Sequence, residues 1–160
     1  MARRFFDHFE EIIGSVLVAV MVTISFVNVI TRYFIKMSLS WSEEITVNLF
    51  VWVVLLGTAT AFKKGSHLGM SFLYDRLSSS WKKPLSLLSG LICIVFFIIL
   101  GWLGGLEVRD EIQLSVTTES LAIPVWYYTV ALPIFSALII LRVFQSTWRF
   151  LRDQAEEKED

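Results

Sequence analysis

The residues able to do chemistry in this chain are few, and their placement excludes more than it offers. The two histidines, His8 and His67, both stand outside the long apolar runs, and the single cysteine, Cys93, stands inside one. No Ser-His-Asp, Cys-His or paired-carboxylate arrangement has the necessary members. A bis-His haem site between helices has no ligands to draw on, and one cysteine builds neither a disulfide nor a Cys-based metal site within the chain. Cys93 suits a small packing residue. No catalytic activity, cofactor or metal is therefore expected. One charged constellation remains: Arg32 closes an apolar run, Glu43 and Glu44 open the next, and the link between them carries Tyr33 and Trp41. An ion pair here would pin two helices together where the dielectric falls. The alternative is an ordinary rim of solvated charges.

The elements that position these groups are apolar. The hydrophobic fraction of 55% and mean hydropathy of +0.64 exceed the soluble range. The net charge of −1 gives no reason to expect nucleic acid as a partner. Four runs lack charge: Ile12 to Thr31, Ile45 to Phe62, Pro84 to Leu106 and Ser120 to Leu141. Each has about the length a helix needs to cross roughly 30 Å of hydrocarbon. In lipid every backbone amide must be satisfied within its own segment, so helix is the expected conformation. The fold class is thus an all-α integral membrane domain over residues 1–160, with spans at about 12–31, 45–62, 84–106 and 120–141. Arg3-Arg4-Phe5-Phe6 superficially resembles a twin-arginine signal. Asp7, Glu10 and Glu11 interrupt it and no small-x-small cleavage site follows, so the first run is expected to be retained as an anchor.

Orientation follows from Lys and Arg. Eleven (Arg3, Arg4, Lys63, Lys64, Arg76, Lys82, Lys83, Arg142, Arg149, Arg152 and Lys158) fall on one side, and three (Arg32, Lys36 and Arg109) on the other. The positive-inside rule puts the eleven, and both termini, in the cytoplasm. Three segments on that side have amphipathic character, about 3–13, 67–81 and 143–151, and suit helices lying in an anionic interface or extensions of the adjacent spans. Lys63, Lys64, His67, Lys82 and Lys83 are the candidate contacts for lipid headgroups.

No Asp, Glu, Lys, Arg or His lies inside the four runs. Ionisable groups within a membrane usually mark ion paths, proton relays or substrate sites, and only Pro133 interrupts a span, without the internal repeat of a self-sufficient carrier. What remains suits packing. Gly101-x-x-x-Gly105 and Gly57-x-x-x-Ala61 are small-residue pairs that admit a close neighbour. Asn28 has an amide to offer an adjacent helix. Pro133 is expected to kink the fourth helix, and Pro124 stands near its start.

Taken in order, Asn28-x-x-x-Arg32-Tyr33, Ser38-Leu39-Ser40-Trp41-Ser42-Glu43-Glu44, Phe50-x-Trp52, Leu56-Gly57, Lys63-Lys64-Gly65-x-His67-Leu68, Leu121-Ala122-Ile123-Pro124-Val125-Trp126 and Leu132-Pro133 resemble the small membrane subunit of tripartite ATP-independent periplasmic (TRAP) transporters, the DctQ-like family. The resemblance covers residues 28 to 142. It implies a scaffold subunit in the bacterial inner membrane, in a one-to-one complex with a large elevator-type membrane subunit. That subunit would carry the substrate and sodium sites for an organic acid of the C4-dicarboxylate or sialic acid type. It also implies a periplasmic substrate-binding protein as transient partner. The competing expectation is a stand-alone four-helix membrane protein or homo-oligomer unrelated to transport.

Overall fold

The computed structural model describes residues 2–64 and 79–156. The chain forms α1 (Ala2–Ile30), which runs into a π-helical turn (Thr31–Ile35), then α2 (Ser40–Lys63), α3 (Ser79–Leu114), the short α4 (Trp126–Thr129) and α5 (Ala131–Glu156). Four helices are long and apolar enough to cross a membrane. No named strand occurs among the described residues. Val16 to Val29 of α1 is rich in β-branched side chains that would favour strands in water. In lipid the demand for internal hydrogen bonds overrides that preference.

The extensive packing runs α1 on α2, α2 on α5 and α5 on α3, so the helices order as a raft, with the last helix in sequence inside it. The core lies at the three-helix centre: Leu55, Ala59 and Phe62 of α2, Phe97 of α3, and Ile139 and Val143 of α5. Cys93 packs against it, as a small apolar residue should. α1 stands outside this core. Among its described side chains, no apolar one is buried.

Several boundaries differ from the apolar runs, for physical reasons. α1 is continuous from Ala2, so segment 3–13 extends the first helix instead of forming a separate arm; segment 143–151 likewise continues α5. The segment 67–81 and His67 lie mostly outside the described residues, and Lys82 and Lys83 fall in the opening turns of α3. α3 passes Leu106 by two turns, carrying Glu107, Arg109, Asp110 and Glu111. At 1.5 Å per residue it exceeds the roughly 30 Å of hydrocarbon. The fourth apolar run is not helical from Ser120. Residues 115–125 form a hairpin, with Thr118 donating to the carbonyl of Ile123 (2.8 Å) and Val125 to that of Val116 (3.0 Å). Its bends use left-handed backbone at Ser115 and Ala122. Helix resumes only after Pro124, whose ring disfavours helix in the residue before it. It is disturbed again at Val130, because Pro133 has no N–H to offer the carbonyl of Thr129. The expected kink is thus a local irregularity between α4 and α5: Val130 keeps helical backbone and its N–H still donates to the carbonyl of Trp126 at 3.0 Å.

Candidate functional site

With little apolar burial to hold it, α1 is fastened at its two ends by polar contacts. At the N-terminal end Glu10, 2% exposed, reaches across to two other helices. Arg142 of α5 donates through Nε to Oε1 at 2.7 Å and places Nη2 on the same oxygen. Lys63 Nζ of α2 stands 3.6 Å from Oε2. That separation is an ion pair but too long for a hydrogen bond. Arg142 also donates through Nη1 to Gln145 Oε1 at 2.9 Å, and Glu11 pairs with Lys64 at 3.2 Å. One carboxylate therefore joins α1, α2 and α5. Removing one partner of such a buried set leaves a charge in low dielectric, at a cost of about 3–5 kcal/mol.

At the C-terminal end, Asn28 Oδ1 accepts from the backbone N–H of Leu39 at 3.0 Å, closing the turn that leads into α2. That turn is shaped by the π-helical end of α1 and by Lys36 in left-handed backbone. Ser42, buried at the start of α2, donates to the carbonyl of Leu39 at 2.7 Å. Glu44 Oε2 accepts from the N–H of Ser120 at 3.1 Å, tying α2 to the hairpin. Glu111 Oε1 accepts from Thr129 at 2.8 Å, tying α3 to α4. Trp52 donates its indole N–H to the carbonyl of Tyr128 at 3.1 Å and meets Phe135 edge-on.

The expected residues thus fall into two sets. Asn28, Glu44, Trp52, Gly101 and Pro133 shape contacts between elements, and Pro124 closes the hairpin. A Cβ on Gly101 would come within 3.2 Å of Ser136, and one on Gly104 within 2.6 Å of Leu132. The close approach of α3 to α5 therefore uses Gly101 and Gly104, not Gly105, which has nothing within 4 Å. A Cβ on Gly57 would also meet nothing within 4 Å among the described residues. The Arg32–Glu43/Glu44 ion pair does not form among the described residues: Arg32, Tyr33 and Glu43 are exposed, and Glu44 serves the hairpin. Trp41 is half-buried. Lys63 is a partner of Glu10 with a side chain only 15% exposed, not a free headgroup contact, whereas Lys64 remains 59% exposed.

The residue missed by sequence reasoning is Glu10. Its signal was present: it shares the apolar face of the first helix, one turn from Phe6 and Ile13. Along the sequence Arg142 marks only the basic end of the last apolar run.

Along the α1–α2 seam run two open cavities. The one beside Glu10, about 570 Å³, is walled by Gly14, Ser15 and Val18 on one side and Val53, Gly57 and Thr60 on the other, above the Glu11–Lys64 pair. The second, about 400 Å³, includes Ser25, Asn28, Glu43 and Thr46.

A raft of apolar helices fastened at its ends by buried polar contacts is the frame of a multi-pass membrane protein. Residues 21–153 match the family of tripartite ATP-independent periplasmic transporters, DctQ component, and the chain belongs to that family as a small TRAP transporter subunit of the inner membrane. It is 27% identical over 170 residues to the C4-dicarboxylate TRAP transporter small permease protein DctQ of Vibrio cholerae, covering 92% of this chain and 73% of that protein. It is 31% identical over 105 residues to the sialic acid TRAP transporter small permease protein SiaQ of the same organism, covering 64% of this chain and 61% of that one. It is also 26% identical over 146 residues to the sialic acid TRAP transporter permease protein SiaT of Haemophilus influenzae, where 89% of this chain corresponds to only 23% of the longer protein.

Proposed function

We propose that this chain is the non-enzymatic scaffold of a sodium-coupled importer for an organic acid of the C4-dicarboxylate or sialic acid type. The observation that carries the reading is the three-helix core with α1 fastened beside it by Glu10 at the inner end and Asn28 at the outer. In this reading a large membrane subunit binds substrate and sodium and moves them by an elevator-like displacement. The raft bears on its static part and resists being dragged along. A wide, one-layer set of helices resists tilt and change of depth better than a single helix does. A periplasmic binding protein delivers the acid to the outer face, where Arg32, Tyr33 and Glu43 are exposed. Both termini lie in the cytoplasm, supported by the Lys and Arg asymmetry. Lys64, His67, Lys82 and Lys83 then face anionic lipid headgroups.

The test is co-expression with the large permease subunit encoded beside this chain, affinity purification, and reconstitution with the binding protein in vesicles. A one-to-one complex and sodium-driven uptake of an organic acid that is lost without this chain are expected. Uptake undiminished by its omission, or a stable homo-oligomer that ignores the large subunit, overturns the reading.

A further inference from the structure

We infer that the groove between α1 and α2 receives one transmembrane helix of the large permease subunit. The inference rests on the scaffold reading above and assigns the face that it uses.

Three observations converge. First, the glycines divide by what they meet. A Cβ on Gly90 would fall 2.9 Å from Thr147, and those on Gly101 and Gly104 would crowd Ser136 and Leu132. The contact between α3 and α5 accounts for all three. Gly14 and Gly57 have nothing within 4 Å, yet both line the inner cavity of the same seam. Nothing among the described residues requires them to be small.

Second, the two cavities lie along one seam and use the same helix faces. Gly14, Val18 and Ser25 recur at helical spacing on one face of α1, and Thr46, Val53 and Gly57 on one face of α2. Its inner end is bordered by Glu10, whose Oε2 accepts no hydrogen bond and whose side chain is 1% exposed. The membrane window of α1 buries none of its residues within this chain, so the cover for that face comes from outside.

Third, the lining selects protein over lipid. Lipid-facing surfaces are bulky and apolar, as is the outer face of α3 with Leu91, Ile92, Val95, Phe96, Ile99 and Trp102 exposed. Helix-facing surfaces in membranes carry Gly, Ser and Thr, which let a backbone approach closely and share polar contacts. The groove is of the second kind. The SiaT relative, in which the counterpart of this chain is 23% of one long permease polypeptide, favours permease sequence as the occupant over a second copy of this chain.

The test fills the groove from this side. Gly14→Leu with Gly57→Leu adds bulk where a Cβ meets nothing, so the helices of the isolated subunit should form and melt as before. The large subunit recovered in affinity purification should fall about tenfold, equivalent to about 1.4 kcal/mol. Leu91→Ala with Ile99→Ala on α3 should leave recovery unchanged. In a Cys93→Ala background, Gly57→Cys should react with a membrane-permeant maleimide in the isolated subunit and be protected in the complex, while Gly105→Cys should react in both. Wild-type recovery by the filled variant, or equal labelling of Gly57→Cys with and without the large subunit, overturns the inference. If the filled variant unfolds, the labelling comparison decides. If the wild-type chain itself retains no large subunit, the scaffold reading is what fails.

Discussion

Trp52 of α2 hands its indole N–H to the carbonyl of Tyr128, 3.1 Å away, in α4 and just before the irregularity at Val130. Pro133 interrupts the hydrogen-bond ladder of the last long helix at membrane depth, where an unsatisfied carbonyl is costly. The carbonyl that Pro133 leaves without its helical donor is that of Thr129; Trp52 donates to the carbonyl one residue earlier, and the same ring meets Phe135 edge-on. Trp52→Phe keeps the ring contact and removes the donor. It should destabilise the purified subunit in detergent by about 1–2 kcal/mol, read as a lower melting temperature. An unchanged melting temperature would mean that another donor supplies this carbonyl.

Glu10→Gln leaves Arg142 and Lys63 without their counter-charge and should cost about 3 kcal/mol or more. Glu11→Gln, affecting a pair whose lysine is largely exposed, should cost under about 1 kcal/mol. Combining Glu10→Gln with Arg142→Gln should cost less than the sum of the single changes, because the residues share one contact. Additive losses in a thermal-melt cycle would show that the carboxylate acts independently of Arg142.

Gly104→Ala drives a methyl group into Leu132 and should lower stability by about 1–3 kcal/mol. Gly105→Ala meets only open space and should be neutral or raise helix stability by up to about 1 kcal/mol. Equal effects at the two positions would contradict the seam drawn here between α3 and α5.

Exchanging the charges of Arg32 and Glu44 tests the outer rim. Since the two are not paired, Arg32→Ala alone should change stability by less than about 0.5 kcal/mol. Glu44→Ala should loosen the hairpin by removing the acceptor for Ser120, which limited proteolysis of the loop would detect. Rescue of a damaged Glu44→Arg variant by Arg32→Glu would reinstate the ion pair.

Orientation has its own measurement. Ser120→Cys, in a Cys93→Ala background, should react with an impermeant maleimide applied to the periplasmic side, and a C-terminal reporter should be active only in the cytoplasm. The reverse pattern would invert the topology.

The helices were legible from the sequence because lipid permits a long apolar run little else: the backbone of Val16 to Val29 must pair with itself. Gly101 was legible as a packing glycine. Glu10 was harder to see, since its partners come from positions 63 and 142 and only the packed raft brings them together. The hairpin at 115–125 was hidden for the opposite reason. Its residues Leu121 to Val125 are as apolar as a span, and hydropathy does not register that Pro124 and the left-handed backbone of Ala122 turn the chain back on itself. Gly57 was legible as a place for a close neighbour, but no single-chain pattern tells whose backbone that neighbour belongs to. The Arg32–Glu44 pairing failed because proximity along the chain was taken for proximity in space, while Ser120 offered Glu44 a backbone donor.

The order of helices in the raft bears on how the protein is made. α5, made after the other helices of this raft, is the piece against which both α2 and α3 close. Until it arrives, Leu55, Ala59 and Phe62 lack Ile139 and Val143, and Glu10 waits for a guanidinium 132 positions downstream. A polypeptide truncated after Leu114 would enter the bilayer with Glu10 facing only Lys63 and with the α2 and α3 faces of the core unjoined. The centre of the raft therefore closes only once α5 is in place.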